Sequence, residues 1–305
     1  MNVVDKPMSK TQARVMLVII SIIWSTTGAA VRFVDWNPLV FSAFRNCVAF
    51  IFLGCVRRNF TFRLKKEILL GAIYNYLCST FYVIALQFTA PANAIILQST
   101  SPMFVVLISW LILKKGIKKK DLLFVFVITA GIAVFFMDGL GTGNLVGDAF
   151  ALGSGILYAA NLLHARYSGA DVKEYNMCSY VMSMLIGFPL AFVYPPDITA
   201  VTMGSVLYLG TISMGLSSVL YAKVVPYSPP AETSMLLMLD PVLNPVWVFL
   251  LFGDVPTVFA FIGSAIVLTG VAVWIITEKD DPAKESGEPA LQEEIASEKL
   301  AAKKK

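Results

Sequence analysis

Charge is what this sequence has least of. Only 14% of its 305 residues are charged, while 57% are hydrophobic and the mean hydropathy is +0.73. Soluble domains carry about 25% charged residues. So few charges cannot coat a water-soluble globule with this much apolar surface. The same composition excludes a disordered chain. Histidine is nearly absent: His164 stands alone, which excludes a histidine-rich metal centre. The four cysteines, Cys47, Cys55, Cys78 and Cys178, all lie in apolar runs and form no CxxC pair. They read as small buried residues, neither disulfides nor metal ligands. No phosphate loop ending in Gly-Lys-Ser/Thr is present, so ATP does not drive this chain, and no motif calls for a cofactor. The net charge of +4 is spread in short basic clusters between apolar runs, which is not a nucleic-acid surface. Enzyme readings fail on spacing. A membrane aspartyl protease needs two deep carboxylates, one in a GxGD pattern, but Leu145-Val146-Gly147-Asp148 lacks the first glycine. A membrane serine protease needs Gly-x-Ser-Gly and a distant histidine, but Gly153-Ser154-Gly155 is misspaced and His164 is on the same helix.

What the sequence does have is long hydrophobic runs. A helix crosses the hydrocarbon core in roughly 20 apolar residues, and ten stretches qualify: 15–34, 38–56, 67–88, 91–113, 121–138, 147–165, 175–194, 202–224, 230–252 and 256–276. The runs are continuous and too long for a barrel's alternating strands. The expectation is an all-α membrane protein of ten transmembrane helices. Turn chemistry separates the runs at Asp35-Trp36-Asn37-Pro38, at Pro195-Pro196-Asp197 and at Gly253-Asp254-Val255-Pro256. Read as a cleaved signal peptide, the first run would leave an odd number of helices. With the N-terminus on the cytoplasmic side, 22 of the 24 Lys and Arg residues fall inside, leaving only Arg32 and Arg45 in the outer half. The positive-inside rule therefore places both termini in the cytoplasm of a multi-pass protein of the cell membrane. The organisation expected is a cytoplasmic N-terminus (1–14), a first five-helix repeat (15–138), an external linker (139–146), a second repeat (147–276) and a charged, disordered cytoplasmic tail (277–305).

The division into repeats comes from self-similarity. A shift of 139 positions lays Pro91 on Pro230, Ala92 on Ala231, Pro102 on Pro241, Gly131 on Gly270 and Ala133 on Ala272 without a gap. A shift of 134 lays Ile22 on Ile156, Arg32 on Arg166 and Trp24 on Tyr158. Five helices per copy is odd, so the second copy enters the membrane from the opposite side. Two inverted repeats are the architecture of many secondary transporters. A duplicated membrane-embedded binding or structural protein without net transport is the alternative.

Several residues carry a further resemblance. They are Trp24-Ser25-Thr26-Thr27-Gly28, Pro38 followed by Arg45, Ala85-Leu86-Gln87-Phe88-Thr89 before Pro91-Ala92-Asn93-Ala94, and Ser101-Pro102. In the second half they are Gly147-Asp148-Ala149, Asp240-Pro241-Val242, Gly253-Asp254 and Gly270-Val271. Over about residues 10–277 the chain resembles the EamA-type, ten-helix branch of the drug/metabolite transporter superfamily. It departs from that pattern at Trp24-Ser25, where a Trp-Gly pair is common. It departs again at Lys114-Lys115-Gly116 and at Asp254, where glutamate is common. The resemblance implies a permease for a small organic metabolite, in a family whose substrates include amino acids, sugars, nucleotide-like compounds and drugs. Export is favoured over uptake.

Ionisable residues inside a membrane are functional candidates by default. Asp240 lies about ten residues into its helix, roughly 15 Å deep at about 1.5 Å per residue. Pro241 and Pro245, with Asn244 between them, free backbone carbonyls beside it. Asp240 is a candidate for substrate or for a coupling proton, or a carboxylate satisfied by backbone or by Arg45. Arg45 is a candidate anion site, or a residue that snorkels or braces helix ends. Together the two suit a zwitterion such as an amino acid. Asn75, Gln98 and Tyr158 are the deepest of a polar set that serves equally well as packing glue. Pro102, Pro241 and Pro245 are the expected kinks. Glu232 reads as a solvated helix start, and His164 as a satisfied interfacial histidine before a proton relay. The partners expected are a small-molecule substrate and the lipid bilayer, with a proton or another ion as coupling candidate.

Overall fold

The computed structural model describes residues 8–113, 119–140, 144–253 and 255–277, and among them every regular element is helical. Ten helical segments follow one another: α1 (Lys10–Val31), α2 (Pro38–Arg57), α3 (Lys66–Phe88), α4 (Pro91–Gln98, then Ser101–Leu113) and α5 (Lys119–Phe135). The second copy comprises α6 (Leu145–Tyr167), α7 (Val172–Leu190), α8 (Ala200–Tyr227), α9 (Pro230–Leu237, then Leu239–Phe252) and α10 (Val258–Thr277). The chain through Val271 forms one compact unit, and α10 runs on to Thr277. The tail from residue 278, the Lys114-Lys115-Gly116 stretch, residues 141–143 of the linker and Asp254 lie outside the described residues.

Local chemistry sets the boundaries. α2 starts where the Asn37 side chain accepts from the Leu39 backbone N–H at 3.0 Å, with Pro38 in the first turn. α9 ends at Gly253 in the left-handed conformation, which satisfies a terminal carbonyl at no steric cost. α6 starts on an Asn144 cap and α7 on an Asp171 cap. Many large apolar side chains face outward along the spans, among them Ile19, Leu107, Phe126 and Leu250. In water such a surface would be a liability; in a bilayer it faces the acyl chains.

With no hydrophobic drive between helices in lipid, close approach of small residues holds the bundle. Gly187 in α7 sits on Ala43 and on the Leu39 carbonyl of α2; a methyl group there would lie 2.5 Å from that oxygen. Gly147 in α6 lies against the backbone of Thr89, which an added methyl would approach to 2.7 Å. Gly263 in α10 meets Phe135 of α5 in the same way.

The helices cross alternately. One face collects the start of α1, the α2–α3 connection, the α6–α7 connection and the α8–α9 connection. Here Arg14 Nε meets Glu232 Oε1 at 2.7 Å, the Arg63 backbone N–H donates to Glu174 at 2.7 Å, and Arg166 donates to the Pro226 carbonyl at 2.6 Å. On the other face Trp36 Nε1 donates to the Asp197 carbonyl at 2.9 Å, joining the α1–α2 and α7–α8 connections. Glu232, expected at a solvated helix start, is only 7% exposed. The reason is its partner: Arg14, from the other repeat, supplies the charge that makes burial of the carboxylate tolerable.

The duplication extends to the helix breaks. α4 is interrupted at Ser99 and α9 at Met238, 139 positions later, and both residues sit at φ −69°, ψ −4°. Pro102 and Pro241 follow the two breaks at the same register. Each lies in the first turn of the resumed helix, where a missing N–H costs nothing. Pro245 is carried inside the second half of α9.

Candidate functional site

The two broken helices bring their polar residues to mid-depth. Asp240 is in the first turn of the resumed half of α9, favourably placed at a helix N-terminus. Its repeat counterpart, Ser101, is fully buried and its hydroxyl has no partner. The Asp240 carboxyl group interacts electrostatically with the hydroxyls of Tyr82 on α3 and Tyr158 on α6. It forms no hydrogen bond or ion pair with another described residue, and neither do the side chains of Gln98 and Tyr158. Gln98 lies where α4 breaks, its backbone against Gly155 of α6. Asp240, Tyr158 and Gln98 therefore offer uncommitted polar groups at the centre of the bundle, from α9, α6 and α4.

The other sequence candidates have different environments. Asn244 Nδ2 donates to the Ser25 carbonyl of α1 at 2.8 Å, holding α9 on the turn in α1. Asn75 Nδ2 donates to Asn176 Oδ1 at 2.9 Å; Asn176 continues to Ser218 at 3.1 Å, and Tyr180 reaches the same Ser218 hydroxyl at 2.9 Å. Both asparagines are thus committed to helix contacts. Arg45 does not pair with Asp240. Its guanidinium lies over the Phe41 ring, 5.5 Å from the centroid, in electrostatic reach of Tyr180, and its Nε is buried without a partner.

One large cavity lies beside the turn in α1. It measures about 490 Å³ and is lined by Thr26 and Ala30 of α1, by Val201, Ser205 and Tyr208 of α8, and by Trp247 of α9. All six lie in the halves of these helices farther from the Arg14–Glu232 pair. Its wall is irregular helix. α1 turns at Thr26, and α8 widens to a π-helix over Leu209–Leu216. Side chains of α1 take up the polar groups this exposes. Trp24 Nε1 donates to the Ser213 carbonyl at 3.0 Å, Thr27 and Ser213 hydroxyls bond at 2.8 Å, and Thr26 and Tyr208 hydroxyls at 2.8 Å.

The repeat-related place is closed. A shift of 134 carries Ala30, Val201, Ser205 and Tyr208 to His164, Glu67, Gly71 and Tyr74. There His164 Nε2 donates to the Glu67 carbonyl at 2.7 Å, and its ring meets Tyr74 edge-on at 5.7 Å. Gly71 lets Tyr175 and the same imidazole close over it. His164 is the satisfied interfacial histidine that its position suggested. Gly210 and Gly215, near the ends of the π-segment, are its only local mark in an otherwise ordinary apolar run.

A duplicated, inverted ten-helix bundle with broken helices at its centre defines a membrane transporter. Two segments, 12–137 and 145–276, match the EamA-like transporter family, and the chain belongs to it. It is similar to an uncharacterized transporter of Archaeoglobus fulgidus, 19% identical over 84% of this chain and 83% of the relative. It is also similar to the uncharacterized transporter YetK of Bacillus subtilis, 22% identical over 79% and 78% of the two chains. A solved structure described only as the crystal structure of a protein superposes with a TM-score of 0.75 at 17% identity, covering 87% of this chain and 96% of that one. The last likeness establishes the fold alone.

Proposed function

We propose that this chain is a secondary transporter that moves a small organic metabolite, an amino acid or a related zwitterion, across the cytoplasmic membrane by alternating access. The observation that carries this reading is the unequal state of two repeat-related places. Ala30, Val201 and Tyr208 line an open cavity, while His164, Glu67 and Tyr74 are pressed together on the opposite side. Exchange of the two shapes between the repeats would carry the central polar groups from one face to the other. The basic clusters assign the closed face to the cytoplasm, with both termini there. The cavity then opens outward. Asp240 is the residue we assign to the substrate ammonium or to a coupling proton, with Gln98 and Tyr158 as hydrogen-bonding neighbours. Arg45 is the complementary cation, set apart from Asp240 and without an acidic partner. The direction of net flux follows from the gradients, with export the favoured direction.

The test is flux in proteoliposomes loaded with a labelled mixture of amino acids and related metabolites, with and without a pH gradient. Saturable flux of one class that responds to the gradient is expected, with the response lost in Asp240→Asn. Gradient-sensitive flux unchanged by that substitution removes Asp240 from the proton path. No flux of any solute from folded protein favours the binding or structural reading instead.

A further inference from the structure

Another cavity lies between α2, α3 and α7, in the half of the bundle away from the Arg14–Glu232 pair. It is small, about 20 Å³, room for one or two waters by the usual requirement of roughly 10–15 Å³ each. Its walls are polar: Ser42 and Asn46 of α2, Ser79 and Thr80 of α3, and Ser179 and Ser183 of α7. None of these six side chains hydrogen-bonds to another described residue. That is unusual in this protein. The hydroxyls of Ser25, Thr100, Ser154, Thr211, Ser234 and Ser264 each donate to a carbonyl one turn back in their own helix, at 2.6–2.8 Å. Asn46 is only 7% exposed, and its Oδ1 has no hydrogen-bond partner among the described residues. An orphaned buried amide oxygen costs about 1–3 kcal/mol unless some state of the protein satisfies it.

The repeat supplies that state. A shift of 134 carries Ser42 to Asn176 and Asn46 to Tyr180. On the closed side those two residues of α7 are bonded to Ser218 of α8, at 3.1 and 2.9 Å. In that place α7 is tied to α8; here α2 stands off from α3 across a cavity. The two places correspond on the α2 and α7 side; Ser218 itself falls on Ile84, so the hydroxyls that α3 offers here are Ser79 and Thr80, about one turn away.

We propose that Ser42 and Asn46 on α2, with Ser79 and Thr80 on α3, are gating residues for transport. They form the latch that closes the now-open side when the His164–Glu67 contact opens. The inference rests on the alternating-access reading above. In the present state water fills the space and satisfies the hydroxyls. In the other state α2 and α3 close, Asn46 Oδ1 accepts from a hydroxyl of α3, and the outward route is sealed. The latch touches no substrate; it sets which face is open.

The test uses the full-length chain with its four native cysteines replaced, carrying the pair Asn46→Cys and Thr80→Cys. Disulfide formation is measured with and without His164→Ala, which removes the His164–Glu67 contact of the closed side. Cross-linking is expected to rise at least fivefold in the His164→Ala background, and the oxidised protein to lose solute flux until reduced. In the separate variant Asn46→Leu, the maximal rate of flux falls at least fivefold while KM stays within twofold. A structural defect would instead lower the yield of folded protein, read by gel filtration. Cross-linking that ignores His164, in protein that still shows solute flux, overturns the latch and leaves the transporter reading intact. Cross-linking that responds to His164 in protein without flux for any solute supports the latch and counts against transport.

Discussion

α3 meets α6, and α1 meets α8, at two contacts related by the internal repeat, yet the helices differ in regularity. α3 and α6 are unbroken along their lengths, and glycines at Gly71 and Gly153 bring them close. α1 turns at Thr26 and α8 is π-helical at its centre, and beside them lies the large cavity. The same duplicated unit thus holds two shapes in one molecule. The comparison teaches that the asymmetry resides in helix regularity: α3 and α6 are continuous α-helices, while on the open side Trp24 of α1 donates to the Ser213 carbonyl of the π-segment and Thr27 bonds its hydroxyl. A bistable element of this kind is what a two-state transporter needs, since packed interfaces switch between discrete arrangements.

The comparison can be broken from the closed side. Arg14→Gln breaks the buried Arg14–Glu232 ion pair, and breaking a buried pair costs up to about 3–5 kcal/mol. A marked fall in melting temperature is expected in detergent, and Glu232→Gln added to it should restore part of the loss. A smaller break comes from Gly71→Leu, which forces a side chain between Tyr175 and His164. Overpacking of this sort costs about 1–3 kcal/mol. It should loosen only the closed side, read as faster hydrogen exchange in α3 and α6 than in α1 and α8. At the centre, Asp240→Asn should reduce gradient-driven flux at least tenfold, about 1.4 kcal/mol on the barrier, while leaving the melting temperature within a few degrees. The smallest effect is expected on the open side. Ser213→Ala removes the bond to Thr27 and should cost about 1 kcal/mol, sharpening the contrast between one strained and one regular contact.

Much of this architecture was readable in advance, for physical reasons that differ by element. The spans declare themselves because lipid demands continuous apolar runs. α5 and α7, though, are shorter or more polar than the eight helices that meet strict span criteria. The α4 and α9 breaks follow from Pro102 and Pro241 at a common register, and their matching dihedrals bear out the duplication. The depth of Asp240 also came from counting residues. What could not be read was pairing across the fold. Glu232 was expected in water because nothing local reveals Arg14, 218 positions away. Asn75 stands out in the sequence by depth and Asn244 by its place between Pro241 and Pro245, and only the packed helices display their partners in Asn176 and Ser25. The polar pairs Ser42/Asn46 and Ser179/Ser183 did carry a signal. Spaced four apart, each pair lies on one helix face, but which face meets which depends on tertiary packing.

Tyr74 and Tyr208 give the most direct test of the central claim, because they are the same position in the two repeats and differ only in which side is open. In a chain freed of its native cysteines, Tyr74→Cys and Tyr208→Cys would each be exposed in detergent to a bulky, charged thiol reagent, and the rates of modification compared. Modification of Tyr208→Cys at least tenfold faster than Tyr74→Cys is the predicted result. Equal rates in folded protein would contradict the account, because the two repeats would then not hold different shapes.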